Sequence, residues 1–362
     1  MWLYKRITRK IKIIKQCAVM NTKKDETQKE HYVPRFYLEK FSSLSPSGKE
    51  RKIWIFNKIT QKYYSSDIKD TATNNYFYDF PIDVLGEDKK KIFDANLQNL
   101  ESFIAPFYRE FEAYISSILE LGDRQNYEKR ILTQEAKEEW SYILAMQALR
   151  TPELRDSLKE AQQKSEDIKQ DFLEKEASQR TKQIKANFPE LNLFSDEDIK
   201  IYLIEQVSKI NNDLYTDSLI PITHNDFFNR HIHVLSNTFL KHKWLIGVNQ
   251  TDIPLYTSDH PVAKIPHIQV GYASDEVGIL FPINPNLIFI LRDQKHPRSH
   301  EGDCLLVDLS EDEIMIYNKA QVYCSNRFVY CQKNKFELAK EICKEEPDFR
   351  SGVKNRVKFI KQ

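Results

Sequence analysis

Residues 31–41 of the chain read HYVPRFYLEKF, and this short stretch decides how the first ordered segment folds. A proline disfavours helix at the residue before it, so Pro34 predicts an extended backbone from His31 onward. In regular strand alternation, His31 and Arg35 lie on the same face and are neighbours. An imidazole on such a stiff segment serves as a general base, as a metal ligand, or only as a hydrogen-bonding group that ties the segment down.

Composition indicates a soluble globular protein with a sizeable core. The chain has 362 residues, of which 41% are hydrophobic, enough for one large domain or two smaller ones. Its 54 basic and 53 acidic residues give a net charge of +1, so the molecule as a whole does not attract nucleic acid, and any such binding requires a local basic patch. The sequence has neither a dinucleotide-binding glycine motif nor a phosphate-binding loop, so no nucleotide cofactor is implied.

The cysteines argue against a zinc cluster and against a disulfide framework. They are odd in number and contain no CxxC pair, which fits a reducing cytoplasm. The five positions are Cys17, Cys304, Cys324, Cys331 and Cys343.

Residues 1–29 form a basic leader in which lysines and arginines interleave with isoleucines. This stretch is too short and too charged to span a membrane, and it lacks the apolar run of a signal peptide. It contacts anionic lipid or nucleic acid, or it is a flexible tail, or it precedes an alternative start at Met20. We expect it to be dispensable for folding.

The spacing of apolar residues predicts the elements that follow. Alternation from Ile53 onward is typical of a β-hairpin. Apolar residues at intervals of three and four predict a helix over residues 94–121, broken or kinked before Pro106. A second helix is predicted over residues 133–149, and it ends near Pro152.

Charged residues dominate residues 153–187, where a solvated helical arm is predicted that contacts another copy of the chain in a homo-oligomer. After Lys243 short β-branched and aromatic runs predict a mostly antiparallel sheet. The fold class is therefore α+β, with a small N-terminal β element, a helical middle with the charged arm, and the C-terminal sheet. We expect residues 30–335 to form a single domain, followed by a C-terminal helix and basic tail over residues 336–362.

Seven motifs follow one another in a fixed order: HYVPRFYLEKF, NYFYD at 75–79, MQALRTP at 146–152, WLIGV at 244–248, YTSDHPV at 256–262, FPINPNLIFIL at 281–291 and YNKAQVYCSNRFVYC at 317–331. Together they resemble the bacterial family catalogued as domain of unknown function 4238. The resemblance covers residues 31–331 and implies an intracellular, mostly prokaryotic protein without an assigned activity. His260 stands where asparagine is more usual in this family, and the arm is long.

Gln147 and Arg150 lie on the inward face of the second helix, because Gln147 is seven residues after Trp140 and Arg150 lies one turn further on. A buried guanidinium group requires an anionic partner. We expect Asp259 or Glu101 to be that partner. Such a pair is either a structural ion pair between the helices and the sheet or part of a functional site.

The segment YTSDHP places Ser258, Asp259 and His260 at the end of a predicted strand, where side chains project from a rigid edge. Adjacent side chains on a strand point to opposite faces, so this run is not a catalytic triad, and the nucleophile elbow of hydrolases is absent. Together with His31 these groups are suited to hold a divalent metal or to position a phosphate. No cofactor is identified beyond that candidate metal.

Two functions fit these residues. The first is a nuclease-like or phosphate-ester-acting effector, for example in phage defence, which acts on nucleic acid or a phosphate-bearing ligand. In the second, a non-catalytic binding or sensor protein, the same polar cluster is structural. The enzyme hypothesis assigns catalysis to His31, Asp259 and Glu101, and substrate binding to Arg35, Gln147, Arg150, Ser258 and His260.

Geometry separates the two hypotheses. We expect HYVPRF and YTSDHP to meet in space with Arg150 between them. An open cleft at this cluster favours catalysis, whereas a sealed cluster whose groups satisfy one another favours the binding protein.

Overall fold

The structure is a computed structural model, and it describes residues 28–45, 47–120, 129–187, 195–211, 219–266 and 271–350. Most of the predicted leader, residues 1–27, and the predicted basic tail, residues 351–362, therefore lie outside the described residues. The predicted α+β class is confirmed. The helices are α1 (Arg35–Leu38), α2 (Ile82–Leu85), α3 (Ile92–Glu120), α4 (Gln134–Leu149), α5 (Pro152–Asn187), α6 (Asp196–Asn211), α7 (Ile220–Lys241), α8 (Glu311–Cys324) and α9 (Glu337–Glu345).

The described strands form three sheets, and β6 with β11 is their one parallel pair. The strands are β1 (Lys29–His31), β2 (Ser43–Leu44), β3 (Arg51–Asn57), β4 (Lys62–Asp67), β5 (Thr73–Asn75), β6 (Lys243–Val248), β7 (Thr257–Ser258), β8 (Ala263–Ile265), β9 (Gly278–Asn284), β10 (Leu287–Arg292), β11 (Leu305–Asp308) and β12 (Phe328–Cys331).

The largest layer is the sheet β11-β6-β10-β9-β8, which is covered on both faces. Phe281 and Phe289 point to the face where Trp140 of α4 lies, and their rings contact its indole. Ile288 and Ile290, which alternate with Phe289, pack in the cluster that includes α8 on the other face. Burial on both faces explains why these strands read as continuous apolar runs.

The second sheet joins the two ends of the chain. Strand β12 pairs with β3 of the N-terminal hairpin on one side and with β7 on the other. The predicted N-terminal β element is thus present, but it is completed by strands more than two hundred residues away. Strand β1 lies in a separate two-stranded sheet, where His31 is opposite Thr73 of β5.

Helix α3 runs without interruption from Ile92 to Glu120, so the predicted break before Pro106 is wrong. The proline removes one backbone donor, yet the helix continues past it and its side chain is exposed. Burial of Ile104 and Tyr108 on either side holds the helix to the core across this point.

The predicted charged arm is α5, a helix of 36 residues. It packs on α6 and α7, and few of its described side chains are buried. Ala177 and Thr181 are buried, whereas Ile168 and Phe172 are exposed.

Two C-terminal helices complete the layers. Helix α8 was not predicted, although Ser310 and Glu313 form a capping box at its start. Helix α9 agrees with the predicted C-terminal helix, and its Leu338 and Ile342 pack in the same cluster as Val329 of β12. None of the helices within the described ranges is long and apolar enough to cross a membrane.

Candidate functional site

Arg150 lies at the centre of a buried polar cluster, at the C-terminal end of α4. Its side chain donates hydrogen bonds to Glu101 Oε1 at 2.6 Å and to the backbone oxygen of His31 at 2.5 Å. The hydroxyl of Tyr78 donates to the backbone oxygen of Arg150 at 2.7 Å. Arg150 is only 1% exposed, so its charge is out of reach of a ligand in solution.

Of the two candidate partners of Arg150, Glu101 takes that role and Asp259 does not. The Asp259 carboxylate instead accepts three backbone hydrogen bonds, from Asn326 at 2.8 Å, Arg327 at 2.7 Å and Phe328 at 2.8 Å. It therefore fixes the turn that leads into β12. Burial raises the pKa of Asp259 to about 6 although these three donors favour the charged form.

His31 is half-buried at the end of β1, with its Nε2 atom 3.2 Å from the backbone oxygen of Ile68. Burial lowers the pKa of His31 to about 4, so its imidazole is neutral at physiological pH. The extended segment ends at Pro34, and Arg35 begins α1 with its side chain exposed. The predicted strand face shared by His31 and Arg35 is therefore not formed, because the backbone turns into helix after the proline.

The remaining predicted residues are buried and hydrogen-bonded. Gln147 donates to the backbone oxygen of Tyr32 at 3.4 Å, a long hydrogen bond. Ser258 donates to Gln321 Oε1 at 2.9 Å. His260 lies with Nδ1 3.1 Å from the Thr151 hydroxyl and Nε2 3.1 Å from the Tyr272 hydroxyl.

A contact between the first ordered segment and YTSDHP is made by Tyr37, the residue after HYVPRF, whereas Arg150, which was expected between the two segments, pairs with Glu101. The hydroxyl groups of Tyr37 and Thr257 are 2.6 Å apart, and Tyr37 also donates to the backbone oxygen of Pro282 at 2.7 Å. Periodicity gives no signal for such a contact, because a tyrosine in an aromatic-rich stretch is indistinguishable from an ordinary core residue.

A second group of buried charges was missed entirely. Glu30 precedes His31 and is 1% exposed, and it contacts Lys91 at 2.9 Å. Arg155 of α5 stacks on the ring of Phe77 at 3.6 Å and donates to His224 Nδ1 at 3.1 Å. In the sequence, a single glutamate next to a motif or an arginine within a charged helix looks like an ordinary solvent-exposed residue. The sequence therefore does not indicate that Glu30 and Arg155 are buried.

His224 is a buried neutral histidine whose Nε2 atom lies 2.6 Å from the backbone oxygen of Leu149. Burial, with the nearby Arg155 charge, lowers its pKa to about 3. Below pH 6.5 this histidine binds a proton in the unfolded chain but not in the folded chain. The free energy of unfolding therefore decreases as the pH falls below 6.5.

Replacing His224 with glutamine removes that titration. The free energy of unfolding of the natural chain minus that of His224→Gln should decrease by about 2 kcal/mol from pH 7 to pH 5. Urea denaturation at both pH values measures this difference. His233→Gln, which alters an exposed histidine of the same helix, is denatured in parallel as the control. An advantage of equal size at both pH values would contradict the neutral state of His224.

No group of three histidine, cysteine, aspartate or glutamate side chains within the described ranges could hold a metal ion. The four cysteines in those ranges are buried and unpaired with one another. The groups of the cluster around Arg150 thus form hydrogen bonds with other parts of the described chain. They do not line an open cavity, and they do not form a metal site.

An open cleft lies elsewhere, between α3 and one end of the large sheet. It has a volume of about 700 Å³. Its only lysine, Lys40, is ion-paired with Glu112, and Asn284 donates to the same carboxylate at 2.9 Å. Apolar side chains at Ile118, Leu119, Val248 and Leu287 contribute to the lining, and polar ones include Ser116, Gln250, Asn286, Asp308 and Gln332.

Comparison with known proteins agrees with the motifs. Neither the curated proteins nor the solved structures contain a match to this chain. A family model described as "Protein of unknown function (DUF4238)" matches residues 29–335, from the first residue of β1 to beyond β12. Because the match spans most of the chain, including every element that builds the Arg150 cluster and the cleft, the chain belongs to this DUF4238 family.

Proposed function

We propose that this protein is a non-catalytic binding protein in which the polar cluster around Arg150 is structural. The observation that carries the proposal is that Arg150, Asp259 and Gln147 are sealed and bonded to groups of their own chain. A catalytic group must reach a substrate, and these groups have no route to one. Their hydrogen bonds instead connect segments that are distant in sequence.

The cluster holds three parts of the fold together. Arg150 links α4 to Glu101 of α3 and to the backbone of β1. Asp259 holds β7 to the turn before β12. A buried polar network whose groups are hydrogen-bonded to one another specifies one packing arrangement, which is the function that we assign to it.

The cleft between α3 and the sheet is the ligand site in this proposal. A pocket of this size is typical for small-molecule ligands. Among its described lining residues the charged side chains are Lys40, Glu112 and Asp308, a net negative set in which the lysine is already ion-paired. This balance disfavours phosphate groups and favours an uncharged or cationic ligand with an apolar portion that contacts Leu119 and Leu287.

Ligand binding can be tested with a matched pair of serines. Ser116 lines the cleft, whereas its exposed neighbour Ser117 does not. The purified chain is dialysed against a bacterial metabolite extract, and retained compounds are identified by mass spectrometry. We expect uncharged or cationic compounds to be retained, the variant Ser116→Trp to lose them because the indole fills the cleft, and Ser117→Trp to keep them.

The competing hypothesis, an effector that cleaves phosphate esters, predicts other outcomes. Hydrolysis of DNA, RNA or bis(p-nitrophenyl) phosphate with Mg²⁺ or Mn²⁺, lost in the soluble variant His31→Gln, would favour the enzyme. Retention of phosphate-bearing compounds, retention of nothing, or equal retention by both tryptophan variants would overturn the cleft as the ligand site.

A cytoplasmic location and self-association through α5 belong to the same proposal. Buried thiols without disulfides are consistent with a reducing compartment. Ile168 and Phe172 are large apolar side chains that are exposed on α5, as a surface for a second copy requires. Sedimentation equilibrium measures the association, and a monomer at all accessible concentrations would contradict it.

A further inference from the structure

Glu30 and Asp79 are two buried carboxyl groups that share one lysine. Glu30 Oε2 accepts a hydrogen bond from the backbone nitrogen of Tyr78 at 2.5 Å, and its Oε1 accepts from Lys91 at 2.9 Å. The Lys91 Nζ atom is also 2.5 Å from Asp79 Oδ1. The side chain of Glu30 is fully buried and that of Asp79 is 8% exposed, whereas that of Lys91 is 30% exposed.

Asp79 is short of hydrogen-bond donors. Both of its oxygens are sealed from solvent, and within the described part of the chain Lys91 lies close to Oδ1, whereas no donor is seen at Oδ2. A buried acceptor without a donor is costly. Glu30 and Asp79 approach the same Lys91 Nζ atom, and the Glu30 carboxyl group can donate to Asp79 only when it carries a proton.

The groups that face this pair give it a net negative charge when both acids are ionised. Lys91 and Asp94 approach from the start of α3, and Arg155 approaches from α5. Burial, together with the Asp79 carboxyl group, raises the pKa of Glu30 to about 7, although the Tyr78 nitrogen and Lys91 favour the charged form. Burial also raises the pKa of Asp94. The fold therefore favours a bound proton at this place.

We propose that Glu30 and Asp79 share one proton, and that losing it on a rise in pH loosens residues 76–80 from β1 and α3. These residues include Phe77 and Tyr78, whose rings pack in the core around His224, so their release would expose that core. The Glu30 proton thereby favours the closed segment in mildly acidic solution, and this contribution is lost toward neutral pH. This device does not depend on the ligand proposed for the cleft.

The direction of the effect follows from linkage. The folded chain holds the Glu30 proton up to about pH 7, whereas an opened segment releases it near the ordinary value of 4.5. The contribution of Glu30 to the stability of the closed segment is therefore fully present below pH 4.5 and is lost as the pH rises through 7. His31 and His224 titrate in the opposite direction, because burial lowers their pKa values to about 4 and about 3, so the comparison must be made with a variant that keeps both histidines.

The test is hydrogen exchange of residues 76–80 in the full chain at pH 5.5 and pH 7.5, corrected for the intrinsic exchange rates. Glu30→Gln keeps the shape of Glu30 and cannot titrate, whereas both chains share the titrations of His31 and His224. We therefore expect the opening constant of the natural chain, divided by that of Glu30→Gln at the same pH, to rise about twentyfold from pH 5.5 to pH 7.5.

Two further observations make the test decisive. Asp83→Asn changes an exposed acid close to this segment and should keep the pH dependence of the natural chain. Infrared spectra at pH 5.5 should contain a carbonyl band of a protonated carboxylic acid that disappears in Glu30→Gln. Equal pH dependence in the natural chain and Glu30→Gln, or absence of that band, would overturn the shared proton.

Discussion

Replacing Asp259 with alanine should lower the free energy of unfolding by about 4 kcal/mol, measured by urea denaturation at pH 7.5. The change leaves three backbone donors of residues 326–328 without an acceptor in a place that is 1% exposed. Each unsatisfied donor costs roughly 1–3 kcal/mol, and some of this is recovered when water enters the turn. The pairing of β7 with β12 depends on that turn, so the loss extends to the second sheet.

Asp252→Ala is the matched control, because Asp252 is an exposed aspartate seven residues upstream in the same sequence region. Its effect should stay within about 0.5 kcal/mol. The loss of unfolding free energy in Asp259→Asn should lie between those of Asp259→Ala and Asp252→Ala. The amide oxygen of asparagine still accepts a hydrogen bond, whereas its NH₂ group is placed opposite a backbone donor. Equal stability of Asp259→Ala and Asp252→Ala would show that the carboxylate does not hold the turn.

Local patterns predicted the elements but not the partners of buried charges. The spacing from Trp140 placed Gln147 and Arg150 on the inward face of α4, and both are buried there. Whether Glu101 or Asp259 would neutralise Arg150 depends on how α3 and β7 pack against α4, which is long-range information. Asp259 instead accepts hydrogen bonds from backbone nitrogens. Every residue except proline has such a donor, so the sequence does not indicate which ones will bind the carboxylate.

The same limit applies to the sheets. Alternation indicated the hairpin of β3 and β4, and continuous apolar runs indicated β9 and β10. Nothing local indicated that β3 would pair with β12, because such a contact is set by the packing of the whole chain. Glu30 and Asp79 were overlooked for a related reason, since burial of a carboxyl group arises only when distant segments cover it.

Replacing Arg150 with methionine should cost about 4 kcal/mol of unfolding free energy, because it leaves Glu101 and the backbone oxygen of His31 without their donor. Arg35→Met makes the same change at an exposed position and should have an effect of at most about 0.5 kcal/mol. Chemical denaturation at pH 7.5 measures both. An equal effect of the two substitutions would contradict the structural role of the ion pair.

A double-mutant cycle isolates the pair itself. Glu101→Leu alone leaves the Arg150 charge buried and unpaired, whereas Arg150→Met with Glu101→Leu removes both charges together. We expect the double variant to be more stable than the sum of the single effects predicts, with a coupling energy of about 2 kcal/mol. A coupling energy near zero would mean that Arg150 acts mainly through the His31 carbonyl group.

The cycle also separates the two functional hypotheses, because they assign different consequences to the same atoms. If Arg150 is structural, any loss of ligand binding in these variants should track their loss of stability, and the double variant should recover both. If Arg150 holds a phosphate group, the double variant should regain stability while binding stays abolished, because the cation is gone. Recovery of binding in a chain that lacks the arginine is therefore the outcome that the structural role requires.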